Sequence, residues 1–236
     1  MTSIVKSEDT DLRNLPVKSN DCATEKSEKI DWQARLNELE DIDEALEKHS
    51  SKLKRLSKPG LFGLIRITSN KKAYESTKTS YERLEQIAEH KATLIKPSAI
   101  HHVVITAVYN ESIDVLRPSL EAILGSDFDP TKIIFVLAYE QRGGEQTKKN
   151  AEILEKEFSS KFGGYLSICH PSDTKGELPG KGANITYAGK IVKEYLEDNK
   201  LDPENVIVTT LDSDHRPDPK YLPYLTYEYC KNPNRD

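Results

Sequence analysis

Asp212-Ser213-Asp214 follows directly on the apolar run Val206-Ile207-Val208-Thr209-Thr210-Leu211. Two carboxylates two residues apart at the end of a buried strand are costly to hold there unless a cation neutralises them, because burial penalises the charged form. A divalent ion does this best. Hard oxygen donors suit Mg²⁺ or Mn²⁺, ions that usually complete their shell with water and substrate phosphates. The same pair also serves as an ordinary turn or helix N-cap, so the metal reading depends on what else converges on it. An EF-hand loop beginning at Asp212 is excluded, since it needs Gly at its sixth position and Glu at its twelfth, where the chain has Pro217 and Pro223.

A second chemical candidate is the stretch Gly176-Glu177-Leu178-Pro179-Gly180-Lys181-Gly182-Ala183-Asn184. It is not a Walker A loop, which needs four residues between its glycines and Ser or Thr after the lysine. No strand runs into GxGxxG, so the dinucleotide fingerprint is missing too. What remains is Lys181 near a helix N-terminus, where free backbone N–H groups, helix dipole and ammonium all favour an anion. Its bland alternative is a surface loop with a solvated lysine. Tyr109 and Glu111 follow another apolar run: the ring suits stacking on a nucleobase and the carboxylate suits ribose hydroxyls. Equally, they are a half-buried tyrosine and a carboxylate capping the next helix. His215 beside the aspartates is a further ligand or merely exposed. His101 and His102 lie at the amino end of a strand and read as structural.

The elements that must position these residues are legible as periodicities. Residues 102–108 and 132–138 are buried runs, 165–169 is a shorter one and 205–211 a strong one. Between them, Leu116, Leu120, Ile123 and Leu124, then Ala151, Leu154 and Phe158, then Ile185, Ala188, Val192 and Leu196 mark helical faces. Strand alternating with helix predicts an α/β fold, a mostly parallel Rossmann-like sheet with flanking helices and right-handed crossovers. In such sheets the ligand crevice lies outside the carboxyl ends of the strands. Tyr109-Asn110-Glu111, Tyr139-Glu140 and Asp212-Ser213-Asp214 are therefore expected to meet at one site.

Upstream the pattern differs. Trp32, Leu36, Leu39, Ile42, Leu46, Leu53 and Leu56 predict one helix starting after Asp31 as N-cap, and Tyr74, Thr77, Tyr81, Leu84, Ala88, Lys91 and Ile95 predict a second. Lys58-Pro59-Gly60 separates them, followed by the apolar patch Leu61-Phe62-Gly63-Leu64-Ile65 among Lys58, Arg66, Lys71 and Lys72. The expectation is an N-terminal α-helical hairpin over 30–97, with membrane-surface contact through the patch as its sharper reading. Residues 1–29 hold hardly any large apolar groups and read as a disordered tail. Residues 98–236 carry the α/β unit.

With 36% hydrophobic and 31% charged residues and a mean hydropathy of −0.65, one uniform core is not expected. A net charge of −5 gives no global electrostatic reason to expect a nucleic-acid partner. Cys22, Cys169 and Cys230 fit neither a disulfide framework nor a zinc site, which makes a reducing, cytoplasmic compartment the default. No apolar run approaches the ~20 residues that span a bilayer, and no signal peptide is legible.

Four motifs in order, Val-Val-Ile-Thr-Ala-Val-Tyr-Asn-Glu (103–111), Ile-Ile-Phe-Val-Leu-Ala-Tyr-Glu (133–140), Pro-Gly-Lys-Gly-Ala-Asn (179–184) and Leu-Asp-Ser-Asp (211–214), resemble the family 2 glycosyltransferases of GT-A fold. The resemblance covers roughly residues 100 to 230. It implies metal-dependent transfer of a sugar, in the hexosyltransferase class, from a nucleotide-diphosphate donor to a hydroxyl of a glycan or lipid-linked acceptor, with inversion. Tyr109 and Glu111 would then line the base and ribose pocket, with Glu140 standing where many relatives have Asp. Asp212 would approach ribose and metal, Asp214 would coordinate Mn²⁺ or Mg²⁺, and Lys181 would be the second countercharge. The acceptor half and its general base have no counterpart before Asp236, which implies a partial chain that does not transfer sugar alone. Close relatives often carry membrane helices beyond the catalytic domain, which would place the full-length protein at the inner face of a membrane. Two alternatives stay open: a sugar-1-phosphate nucleotidyltransferase, although no glycine-rich loop follows the first strand, and a non-catalytic helical interaction protein.

Overall fold

The computed structural model describes residues 30–57, 71–173, 176 and 180–235. The expected tail and the 61–65 patch lie outside these residues. From Trp32 onward the described chain forms one compact unit. Among the described residues three helices come first: α1 (Trp32–Glu40), α2 (Ile42–Ser57) and α3 (Lys71–Ala88). Then strands and helices alternate as β1 (His101–Val108), α4 (Ile113–Leu124), β2 (Ile133–Glu140), α5 (Gly144–Phe158), β3 (Gly164–His170), α6 (Lys181–Asp198) and β4 (Val206–Asp212), and α7 (Tyr221–Lys231) follows.

The four strands are all parallel, in the order β3-β2-β1-β4. β1 and β2 are buried along nearly their whole length, which is why they read as unbroken apolar runs in the sequence. Moving from β1 to β2 to β3 the chain advances across the sheet, and α4 and α5 bury Leu116, Leu120, Ile123, Ala151, Leu154 and Phe158 against Val104, Phe135 and Leu137 on one face. The return to β4 passes over the other face, where Ala188, Val192 and Leu196 of α6 cover Val103, Ile105, Ile134, Val136 and Ala138. A right-handed crossover must change faces when the direction of travel reverses. β4 is an edge strand, and Val208 is 54% exposed on it.

Three expectations about the helices change. The apolar stripe of 32–56 is not one helix. Asp41 interrupts it, and its Oδ1 accepts the Glu44 N–H at 3.1 Å to cap α2. The two halves of the stripe then bury against different partners. Leu36 and Leu39 meet Ile100, Tyr227 and Cys230, while Ile42 and Ala45 meet Leu84. The second stripe also stops early, because α3 ends at Ala88 and a turn at Lys91–Thr93 sends Leu94 to the α2–α3 contact and Ile95 to the α1–α7 contact. Finally, α7 was not anticipated. It carries Leu222, Thr226, Tyr227 and Cys230 on its buried side, and Trp32 sits against it with its ring centroid 5.1 Å from that of Tyr224 and 5.6 Å from that of Tyr227.

His102 is fully buried beneath α7, its Nε2 2.8 Å from the Thr226 hydroxyl and its ring edge-on to Phe128. Burial, and then the nearby His101, push its pKa down to about 4. Its placement agrees with a structural role. No helix among the described residues is long and apolar enough to cross a membrane.

Candidate functional site

A cleft of about 570 Å³ opens at the carboxyl ends of β1, β2 and β4, beside the start of α6. Its position follows from topology. Since β2 and β4 leave β1 on opposite sides with their helices on opposite faces, no helix of the described residues closes the space above the strand tips. Tyr109, Glu111, Glu140, Lys181, Asp212 and Asp214 all line it. Glu140 and Asp212 are the last residues of their strands, which run two residues and one residue further than expected, and the parallel register sets Ala107 of β1 beside both Asp212 and Ala138.

The acidic end is built around a fixed backbone turn. The Ser213 carbonyl, largely buried, accepts the Ser119 hydroxyl of α4 at 2.7 Å. The His215 N–H donates to the Asp212 carbonyl at 3.0 Å. The side chains on either side of Ser213 are left facing outward. Ligand atoms of Asp212, Asp214 and His215 lie within 4.8 Å of one another, with the His215 Nε2 3.6 Å from the Asp212 carboxylate. The two carboxylates are donors of the kind Mn²⁺ and Mg²⁺ take, whereas an imidazole is a donor for later transition ions, and all three groups are exposed.

Lys181 is the first residue of α6, and its ammonium is paired with the Asp212 carboxylate. Gly180 before it adopts φ +156°, ψ 173°, a conformation essentially restricted to glycine, and as the N-cap residue it offers no side chain to the helix. The first-turn N–H groups of α6 therefore add positive potential beside Lys181. Asn184, one turn on, is buried and donates from Nδ2 to the Ala138 carbonyl at 2.7 Å, which ties α6 to the tip of β2. Its Oδ1 has no hydrogen-bond partner among the described residues.

At the other end, Glu111 is used differently from the helix cap that its position suggested. One oxygen, Oε2, accepts the backbone N–H groups of Tyr109 at 2.7 Å and Asn110 at 3.1 Å, holding the loop after β1. The Tyr109 ring is 41% exposed, and the guanidinium of Arg142 stands 4.6 Å from its centroid while pairing with the buried Glu140. α5 is pressed onto this loop: the Thr147 hydroxyl donates to the Tyr109 carbonyl at 3.1 Å, and a Cβ on Gly143 would lie 1.9 Å from that oxygen.

Arg142 and Asn184 are the cleft residues that sequence reasoning passed over. Asn184 lies in the loop motif already singled out. Arg142 was signalled only by its place two residues after Glu140, ahead of Gly143-Gly144. A second cavity, about 640 Å³, lies between α1, the end of α3 and α7. None of the sequence-picked residues reaches it, and two of its cations are already committed, Arg83 to Glu38 and Lys231 to Glu228. Set against known proteins, the chain matches no family model and no curated protein.

Proposed function

We propose that the cleft binds the nucleoside-diphosphate part of a nucleotide sugar, and that the chain is a metal-dependent inverting glycosyltransferase of GT-A type acting on a hydroxyl of a glycan or lipid-linked acceptor. The carrying observation is convergence: an aromatic face, buried and exposed carboxylates, a lysine and an uncapped helix start share one crevice at the strand tips. α2 and α3 are read as a hairpin appendage to this unit, on the contact of Ile42 and Ala45 with Leu84.

In this reading Tyr109 offers its ring to the base, and Glu140 accepts a base N–H. Glu111, with Oε2 committed to the loop, leaves Oε1 for a ribose hydroxyl. Asp214 and Asp212 hold the divalent ion, with His215 within reach of the same centre. When bound, Mn²⁺ or Mg²⁺ neutralises charge developing on the departing diphosphate. Lys181 and the first N–H groups of α6 would supply further positive charge to the same oxygens. No residue of the cleft is assigned as the general base.

Calorimetry with UDP, GDP and dTDP, each with and without Mn²⁺, tests the proposal. At least one nucleotide is expected to bind tenfold or more tightly with metal, and Asp214→Ala is expected to remove the metal-dependent part. Binding of equal strength without metal would overturn it.

A further inference from the structure

Each carboxylate on the cleft walls that the proposed function assigns to ligand contact is not equally free. Glu140 is paired with Arg142, and Asp212 with Lys181 and, at 3.6 Å, with the His215 imidazole, whereas Asp214 forms no ion pair among the described residues. The two pairings differ in kind. Glu140 is 6% exposed, so separating it from Arg142 would strand a buried charge. Asp212 and Lys181 are 47% and 50% exposed, so either can change partners with water replacing what is lost.

We propose that Lys181 is a tethered counter-ion that competes with the divalent metal for Asp212 and moves to the phosphate oxygens when the donor binds, so that metal and nucleotide bind with positive linkage. The inference rests on the proposed function. Its logic is electrostatic. An ammonium and a divalent ion on one carboxylate repel each other, so the metal alone gains less from Asp212 than it would without the lysine. A pyrophosphate offers the displaced ammonium a second anion, at the helix start where Lys181 is already anchored, and the N–H groups of α6 share it. Nucleotide thereby relieves the competition, and by reciprocity the metal strengthens nucleotide binding by the same factor. Lys181 acts as a reusable charge: it keeps the empty cleft from carrying unpaired acidity at Asp212, then supplies that charge to the donor.

The test is Mn²⁺ binding followed by electron paramagnetic resonance, first with the metal alone and then with UDP or GDP present, on the whole chain. Lys181→Met is expected to bind Mn²⁺ alone about two- to fivefold more tightly, the range set by a partly exposed ion pair. The same variant is expected to bind the nucleotide more weakly at saturating Mn²⁺, and to show a mutual enhancement smaller by the same roughly two- to fivefold factor. Lys193→Met is the control, because it removes the same charge from the same helix. Its position is roughly 18 Å along the axis, beyond the screening length at ordinary salt, and it is expected to change neither affinity. Circular dichroism of each variant checks that α6 is intact. If wild type binds Mn²⁺ and nucleotide together but Lys181→Met binds Mn²⁺ alone no more tightly, the competition is refuted and the proposed function stands. If wild type binds neither, both fall. Equal tightening by Lys193→Met would also refute it, as that assigns the effect to net charge.

Discussion

Glu111 commits one carboxylate oxygen to the chain itself, and this makes the loop after β1 a fixed wall of the cleft. Glu111→Ala removes the acceptor for two N–H groups that water then partly satisfies, so stability is expected to fall by about 1 kcal/mol in urea unfolding. Nucleotide affinity is expected to fall with it. Gly143→Ala acts on the same wall from α5, since the added methyl meets the Tyr109 carbonyl. Loss of donor binding in calorimetry, with a lowered melting temperature, is the expected outcome. His102 carries a pH dependence. Its folded pKa, about 4, lies below its ordinary 6.5, so the unfolded chain binds more protons between these values. Stability is therefore fully present above pH 6.5 and is lost as pH falls towards 4, by at most about 3 kcal/mol. Urea midpoints measured across that window are expected to slope, and His102→Gln is expected to flatten the slope. At this scale the sequence disclosed residue types and left partners hidden. Asp212 and Lys181 stood out by their neighbours in the chain, whereas Arg142 matters only because the β2–α5 turn returns it over Tyr109, a contact across 33 positions.

Among the elements, those with one period and one partner were the legible ones. β1, β2, β3 and β4 appear within a residue or two of the apolar runs that announced them; the central β1 and β2 are buried on both faces and need apolar side chains throughout, whereas the edge strands β3 and β4 are only partly buried. Helices α1 and α2 were fused in the sequence reading, since a stripe records which side is buried and not what buries it. Asp41 is the only local sign of the break. Asp41→Ala is expected to cost about 1 kcal/mol through loss of the α2 cap. Leu84→Ala, at a fully buried contact between α2 and α3, is expected to cost about 2–5 kcal/mol. Thermal melts of the two variants separate capping from packing. α7 had its own signal, Leu222, Thr226 and Cys230 at four-residue steps, obscured by the Pro223 that the first turn of a helix tolerates.

Across the whole molecule, the strand order decides what the chain can bind. Reversal of direction at β1 leaves a gap above the strand tips, and the four segments that line it, at the ends of β1, β2 and β4 and the start of α6, run from Ala107 to Asp214 in the chain. The gap was predictable from alternation of strand and helix, while its charge pairing required the packed structure. Helices α1 and α7 form a separate seam, remote in sequence from the first three strands, and it holds the sole tryptophan. Trp32 lies between two tyrosine rings with the Arg35 guanidinium 5.1 Å from its own. Its ultraviolet emission is thus a private optical signal from that seam. The sheet contributes no indole, so loosening of the seam becomes visible on its own, apart from the global loss of secondary structure that circular dichroism would follow.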